Sequence, residues 1–305
     1  MKSHIVSAIL LCLSLAGSAW SQDGSSEPGV PVSVVVSAQP KHGSATPVIY
    51  PEDVRVSHDG RRMTVTEWLP LQGEHAGLEL FLLIDDALDS SIGLQYGDLE
   101  KFIYAQPPTT EIALGYIQFG SVQVAQSMTK DHRAVVKALR LPMGSGTMSS
   151  PYNALTDLIQ DWPESGNRRH IFLISSGVDA LQPGPTNMYL DNAIEQAQRS
   201  GIQIYSIYAS RLAYAADALP AVTWGQNNLL QLAYETGGDT YLQGLKTPLS
   251  FAPYLDEFAE RLQHQYRLTF LAEQRKRGRL ERISLETEVP HLKLVTAERV
   301  YVPGM

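Results

Sequence analysis

Cysteine is nearly missing from this sequence. Among 305 residues there is one, Cys12. It lies inside a leader-like start, so no disulfide can brace the rest of the chain, which must rely on its core. Basic charge is also scarce, with 24 Lys and Arg against 32 Asp and Glu and a formal net charge of −8. That balance argues against a nucleic-acid-binding face. The one basic run, Arg275-Lys276-Arg277-Gly278-Arg279, falls in an expected turn. No apolar run after the first twenty or so residues is long enough to span a membrane. Enzyme signatures are missing too. There is no Gly-x-Ser-x-Gly elbow, and Gly144-Ser145-Gly146-Thr147 lacks the lysine of a phosphate loop. The eight histidines are scattered without a zinc-type pair. His170, at an expected strand start, reads as a structural histidine.

What is present begins with a secretory signature over residues 1–21. Lys2 precedes the apolar stretch Ile5 to Ala16, and Ala19-Trp20-Ser21 supplies small residues for cleavage. Residues 22–50, rich in Ser, Pro and Gly, read as a flexible tether with one edge strand at Val32 to Val36. In the region 51–77, Asp59-Gly60 predicts a hairpin between Val54-Arg55-Val56 and Met63-Thr64-Val65-Thr66. From 78 to 272 strands and helices alternate. Asp131, Ser150-Pro151 and Gly201 are expected to cap helices, Thr247-Pro248 to open the last one, and Tyr266 to Leu271 to close the series. Such alternation predicts an α/β fold, a Rossmann-like, doubly wound, mostly parallel sheet with helices on both faces. The tail 273–305 reads as strands, expected to join the N-terminal strands in a small β subdomain.

The densest information lies in Leu80 to Ile84, an unbroken apolar run that suits a strand buried on both faces. It ends in Asp85-Asp86-Ala87-Leu88-Asp89-Ser90-Ser91. Ligands of open α/β sheets bind beyond the carboxyl ends of such strands. As neighbours on a strand, Asp85 and Asp86 should point to opposite faces and not converge as an acid–base pair. Tyr205, Tyr208 and Tyr214 read as packing residues, with an aromatic binding surface as the alternative.

This segment resembles the first strand and metal loop of von Willebrand factor type A domains, whose loop reads Asp-x-Ser-x-Ser. The order of motifs over residues 54–303 is similar to that of bacterial VWFA-related secreted proteins of the type found in Acidobacteria. Arg261 to Phe270 resembles their closing helix and strand, and Ala297 to Pro303 their tail end. The resemblance implies a metal-ion-dependent adhesion site built on oxygen ligands from three loops. Here the positions implied for it hold Asp85, Ala87, Asp89, Ser149 (or Thr147 with a two-residue shift) and Ser176. Ala87 has no ligand atom, so a degenerate site without a cofactor is expected, a weak magnesium site being the alternative. The function implied is binding of an unidentified protein partner outside the cytoplasm, secreted or periplasmic, with Leu88, Asp89 and Met148 as contacts. A working magnesium-dependent adhesion domain, an envelope-complex scaffold and, least favoured, a metal-dependent hydrolase on Asp85 and Asp89 are the other readings.

Overall fold

Every residue of the strand Leu78–Asp85 is buried. Its side chains alternate: Leu78, Leu80, Leu82 and Ile84 enter one apolar cluster, Phe81 and Leu83 another. A strand apolar on both faces needs a helical layer on each side, and that requirement organises the chain.

The computed structural model describes residues 29–41, 46–144, 148–211, 219–273 and 275–305. In chain order the strands are β1 (Val30–Pro40), β2 (Val54–His58), β3 (Arg61–Arg62), β4 (Thr64–Pro70), β5 (Leu78–Asp85), β6 (Thr110–Gln118), β7 (Ser121–Thr129), β8 (Arg168–Ser175), β9 (Gln203–Tyr208), β10 (Thr240–Tyr241), β11 (Gln265–Ala272), β12 (Arg279–Arg282), β13 (Ser284–Thr287), β14 (Leu292–Val295) and β15 (Arg299–Val302). The helices are α1 (Tyr96–Ala105), α2 (His132–Lys137), α3 (Pro151–Asp161), α4 (Met188–Ser200), α5 (Leu219–Thr236) and α6 (Ala252–Gln263). Among the described residues no helix is long and apolar enough to cross a membrane.

The main sheet runs β10-β9-β8-β5-β6-β7, parallel throughout except for the β6–β7 hairpin. This is a doubly wound α/β sheet. α1, α2 and α6 cover one face; α3, α4 and α5 cover the other. At α2 and α4 the residue before the helix caps it: Asp131 accepts from the amides of Arg133 and Ala134, and Asn187 from those of Tyr189 and Leu190. Gly201 ends α4 in the left-handed conformation. Ser150 precedes α3 but makes no side-chain cap bond.

A second sheet, β14-β1-β11-β4, is antiparallel. β13 pairs with β2, and β12 with β15. These strands share a third core around Val36, Val56, Trp68, Leu268 and Phe270.

Three sequence expectations are corrected here. Residues 30–40 are an eleven-residue strand within the stretch expected as a tether; Val32 to Val36 ladders on one side only, with β11, and β14 joins the other side from Ser37 to Pro40. Valines at successive positions read as an isolated strand because their partners, β11 and β14, lie over 200 residues away in the chain. The segment expected to close the α/β series, β11, belongs instead to this second sheet. The last helix starts at Ala252, not at Thr247-Pro248, because the Asp98 carboxylate from α1 accepts from the amides of Phe251 and Ala252 and the Ser250 hydroxyl. That carboxylate comes from a helix distant in sequence; the one local contribution is the Ser250 hydroxyl, which accepts from the Ala252 amide at 3.1 Å. The Asp59-Gly60 turn does join β2 to the short β3, while β4 departs to pair with β11.

Candidate functional site

The chain leaves β5 toward β6 on one side and returns through β8 on the other. The crevice between the carboxyl ends of β5 and β8 is the switch point of the sheet, where doubly wound folds place ligands. Asp85 ends β5 and Ser175 ends β8, and the Ser175 hydroxyl donates to Asp85 Oδ2 at 2.9 Å. Asp85 Oδ1 accepts from the Ala87 amide at 3.0 Å. Asp85 is fully buried, and burial pushes its carboxyl above the ordinary range. The Ala87 amide, the Ser149 and Ser175 hydroxyls and the field of Arg211 offset this only in part. The Ser149 and Ser150 hydroxyls are buried and make no hydrogen bond of ordinary geometry. Ser149 therefore acts on Asp85 as a nearby dipole and not as a full donor.

Asp86 turns away, as the alternation of a strand requires. Arg140 grips it with both terminal nitrogens, at 2.7 and 2.8 Å. Gln118 and the Met143 amide donate as well, the latter at 3.0 Å. The Arg140 guanidinium lies 3.8 Å above the Tyr116 ring centre, and the Tyr116 and Tyr96 hydroxyls donate to its backbone carbonyl. Burial alone would raise Asp86, but the Arg140, Gln118 and Met143 donors outweigh it and hold the carboxyl below its usual value. The Asp86 carbonyl also accepts from the Gly144 amide at 2.9 Å. One buried carboxylate thus organises the whole 140–144 loop.

That loop and the β6–β7 turn present apolar side chains to solvent. Phe119 is 72% exposed, Met143 67% and Met148 50%. They are neighbours: the Phe119 amide donates to the Met148 carbonyl at 3.0 Å, and the Gln118 side chain reaches the Met143 sulfur. Leu141 lies over Gly93, and both Leu141 and Leu94 are exposed. Phe119 adopts φ of 50°, a left-handed conformation uncommon for a bulky residue. The turn holds an aromatic side chain in water at a position where glycine or asparagine would cost less.

The other expected site residues are dispersed. Asp89 is exposed and caps the turn after it, accepting from the Ser91 amide at 2.8 Å; the Ser91 hydroxyl and amide lower its carboxyl. Ser176 is buried, and its hydroxyl accepts from the Val178 amide. Gly177, beside it, packs against the Gly225 carbonyl of α5 so closely that no side chain fits. Asp179 is buried and accepts from the Leu181 amide and the Asn187 side chain. Leu88 is corrected: it is fully buried in the core against α1 and α6 and cannot anchor a partner. In a polar loop its apolar character looked like a contact, whereas the loop folds it inward. Thr147 and Tyr214 lie outside the described residues. Tyr205 and Tyr208 are buried packing residues. His170 is buried too, its Nε2 is 2.9 Å from Gln265 Oε1, and burial pushes it down to about 3. Sequence reasoning missed Arg140, Gln118, Phe119 and Met143. The one available signal was the Phe119-Gly120 turn, which marks an exposed aromatic at a hairpin tip.

The donor set can be compared with what a hard divalent ion requires, several oxygens in near-octahedral array with carboxylates among them. Among the described residues Asp85 is the carboxylate at the strand ends, and buried Asp179, after β8, is bonded to the Leu181 amide and the Asn187 side chain. Asp86 is committed to Arg140, Asp89 to its own turn, and Ala87 puts a methyl where the implied pattern has a hydroxyl. Among the described residues no three acidic, His or Cys side chains cluster. These residues do not fit a tight magnesium site.

No protein-family model matches the sequence, and no curated protein is similar to it. Several solved structures with a similar chain path are von Willebrand factor type A domains. A von Willebrand factor type A protein from Catenulispora acidiphila is 11% identical, over 92% of this chain and 75% of that one, with a TM-score of 0.46. An aerotolerance-related membrane protein from Bacteroides fragilis is 12% identical, over 61% of this chain and 98% of that one, with a TM-score of 0.46. The von Willebrand domain of a type V pilus tip protein from Porphyromonas gingivalis is 13% identical, over 60% of this chain and 94% of that one, with a TM-score of 0.41. Likeness at this level assigns no activity to the present chain.

Proposed function

We propose that this protein is an exported interaction module that binds another protein through the carboxyl-end rim of its parallel sheet, without a tightly held metal. The observation that carries the reading is the exposed trio Phe119, Met143 and Met148, brought to one end of the sheet by the Phe119–Met148 backbone bond and the Gln118–Met143 contact, beside the Asp86–Arg140 fork. Exposed aromatic and methionine side chains around a fixed arginine have the composition of an interface centre. The leader-like residues 1–21 support export, and the empty inventory of catalytic motifs supports binding over chemistry.

The test is capture of a partner from envelope extracts of the source cells. Phe119→Ser with Met148→Ser is compared with Arg299→Ala with Tyr301→Ala in the β tail. Loss of the partner with the rim pair alone, in protein that melts normally, supports the reading. Loss with the tail pair alone moves the contact to the β tail and favours a docking scaffold.

A second reading, a working metal-dependent adhesion site, draws on one observation: the Ser149 hydroxyl, which acts on Asp85, is buried without a hydrogen bond of ordinary geometry. A cation could use it. That cation would still meet a single carboxylate at the strand ends, and the first reading is preferred for that reason.

A further inference from the structure

At the amino end of the main sheet, opposite the rim, a cavity of about 890 Å³ opens between α1 and α6. Its volume lies within the roughly 300–1,000 Å³ of small-molecule sites. Leu78, Phe102, Leu255, Ala259 and Leu262 give it apolar walls, and Arg168, the first residue of β8, lines it as well. Arg168 is unusual in what it bonds. One terminal nitrogen donates to the Leu262 carbonyl at 3.0 Å and, at 3.4 Å, to the Leu71 carbonyl. Its Nε is buried without a partner. No carboxylate among the described residues comes within ion-pair distance of it, although the other ion pairs of the fold engage arginine repeatedly. One acid in the wall, Asp98, is already committed to the start of α6. Asp256 and Lys101 sit exposed on α6 and α1 where they border the cavity.

We propose that this cavity binds an organic anion with an aliphatic body, an alkyl carboxylate, whose head group pairs with Arg168 and whose chain lies between α1 and α6. A guanidinium offers a planar fork suited to carboxylate, and Arg168 lines the cavity with no carboxylate of the described residues already paired to it. Burial lowers Arg168 to about 10, so it stays charged at neutral pH and an anion would relieve the cost of that burial. The apolar walls would take the chain by ordinary hydrophobic burial.

The probe is octanoate, with octan-1-ol as its uncharged counterpart, in titration calorimetry on the full chain at neutral pH. The expected result is saturable, one-to-one binding of octanoate, about tenfold or more tighter than the alcohol. Arg168→Gln is expected to erase that preference while keeping alcohol binding. Because Arg168 also ties Leu71 to Leu262, a second variant guards against a folding defect. Ala259→Phe narrows the cavity between α1 and α6 with an apolar side chain and is expected to weaken binding of both probes. Absence of saturable octanoate binding to the unaltered protein would overturn the proposal. So would equal affinity for acid and alcohol, or unchanged binding in a normally melting Ala259→Phe protein.

Discussion

At the carboxyl end of the main sheet Asp85 is buried against an amide and a hydroxyl; at the amino end Arg168 is held by two backbone carbonyls. Each end buries a titratable group bonded to neutral dipoles. Next to Asp85 in the chain, the Asp86–Arg140 pair shows the ordinary solution, a carboxylate matched by a guanidinium fork. Burying charge without a bonded counter-charge lowers stability. The two ends therefore differ from Asp86, a satisfied element that builds the rim loop; Asp85 and Arg168 mark where the fold gives up stability. At the rim the cost accompanies exposed apolar side chains, and at the base an open cavity.

The sheet between the two ends is the strongest element, and changing it gives the largest effect. Leu83→Asp would place an unpaired carboxylate in the core against α3 and α4, at a cost of several kcal/mol. The expected outcome is loss of soluble, cooperatively melting protein, measured by expression and circular dichroism. A folded Leu83→Asp protein would mean that the two ends are not joined by a common core.

Next comes the satisfied element. Arg140→Met leaves Asp86 buried with only Gln118 and the Met143 amide. Arg140 keeps 37% of its side-chain exposure, so the loss should be about 2 kcal/mol, below that of a fully buried pair. Denaturant unfolding would measure it. Increased proteolysis within 140–144 should accompany it, because that segment hangs on Asp86. A neutral result would show that Asp86 does not organise the rim.

Asp85 and His170 act in different pH windows. Burial raises Asp85, so the native state binds its proton more tightly than the unfolded chain does, and stability falls as pH rises above the unfolded value of about 3.9. Asp85→Asn should therefore melt higher than the unaltered protein at pH 7.5, with the difference shrinking toward pH 4. His170 is depressed to about 3. Its contribution is present above the ordinary value of about 6.5 and is lost as pH falls toward 3. His170→Gln should flatten that acid-side loss. A lower melting temperature for Asp85→Asn at pH 7.5 would mean that the carboxylate is paired with something, a cation included.

The smallest effect expected is that of magnesium. A ligand that binds only the folded state at a hundredfold excess over its Kd stabilises by about 2.7 kcal/mol. With one carboxylate at the strand ends, millimolar magnesium should shift the melting temperature by less than that stabilisation implies, scarcely distinguishable from EDTA by scanning calorimetry. A shift of several degrees that vanishes in Asp85→Ala would favour the metal-dependent reading.

Much of this architecture is written in local sequence. Two-sided apolar runs such as Leu80 to Ile84, caps such as Asp131 and Asn187, and turns such as Phe119-Gly120 each act within a few residues. The second sheet was poorly legible because β1 pairs with β11 and β14 across most of the chain, and periodicity says nothing about partners that distant. The site divided in the same way. The divergence of Asp85 and Asp86 follows from strand alternation alone. The grip of Arg140 on Asp86, the burial of Leu88 and the lone charge of Arg168 depend on tertiary contacts, so the sequence shows residue types there but not their pairing.

The central claim is that the carboxyl end of the sheet makes its contact through apolar surface and not through a metal. It is tested most directly by the affinity of the captured partner for the unaltered protein in EDTA, in millimolar magnesium, and for Asp85→Asn. The account predicts the same affinity in all three, together with loss of binding in Phe119→Ser with Met148→Ser. A fall of about tenfold or more in EDTA and in Asp85→Asn, with the rim variant binding normally, would contradict it.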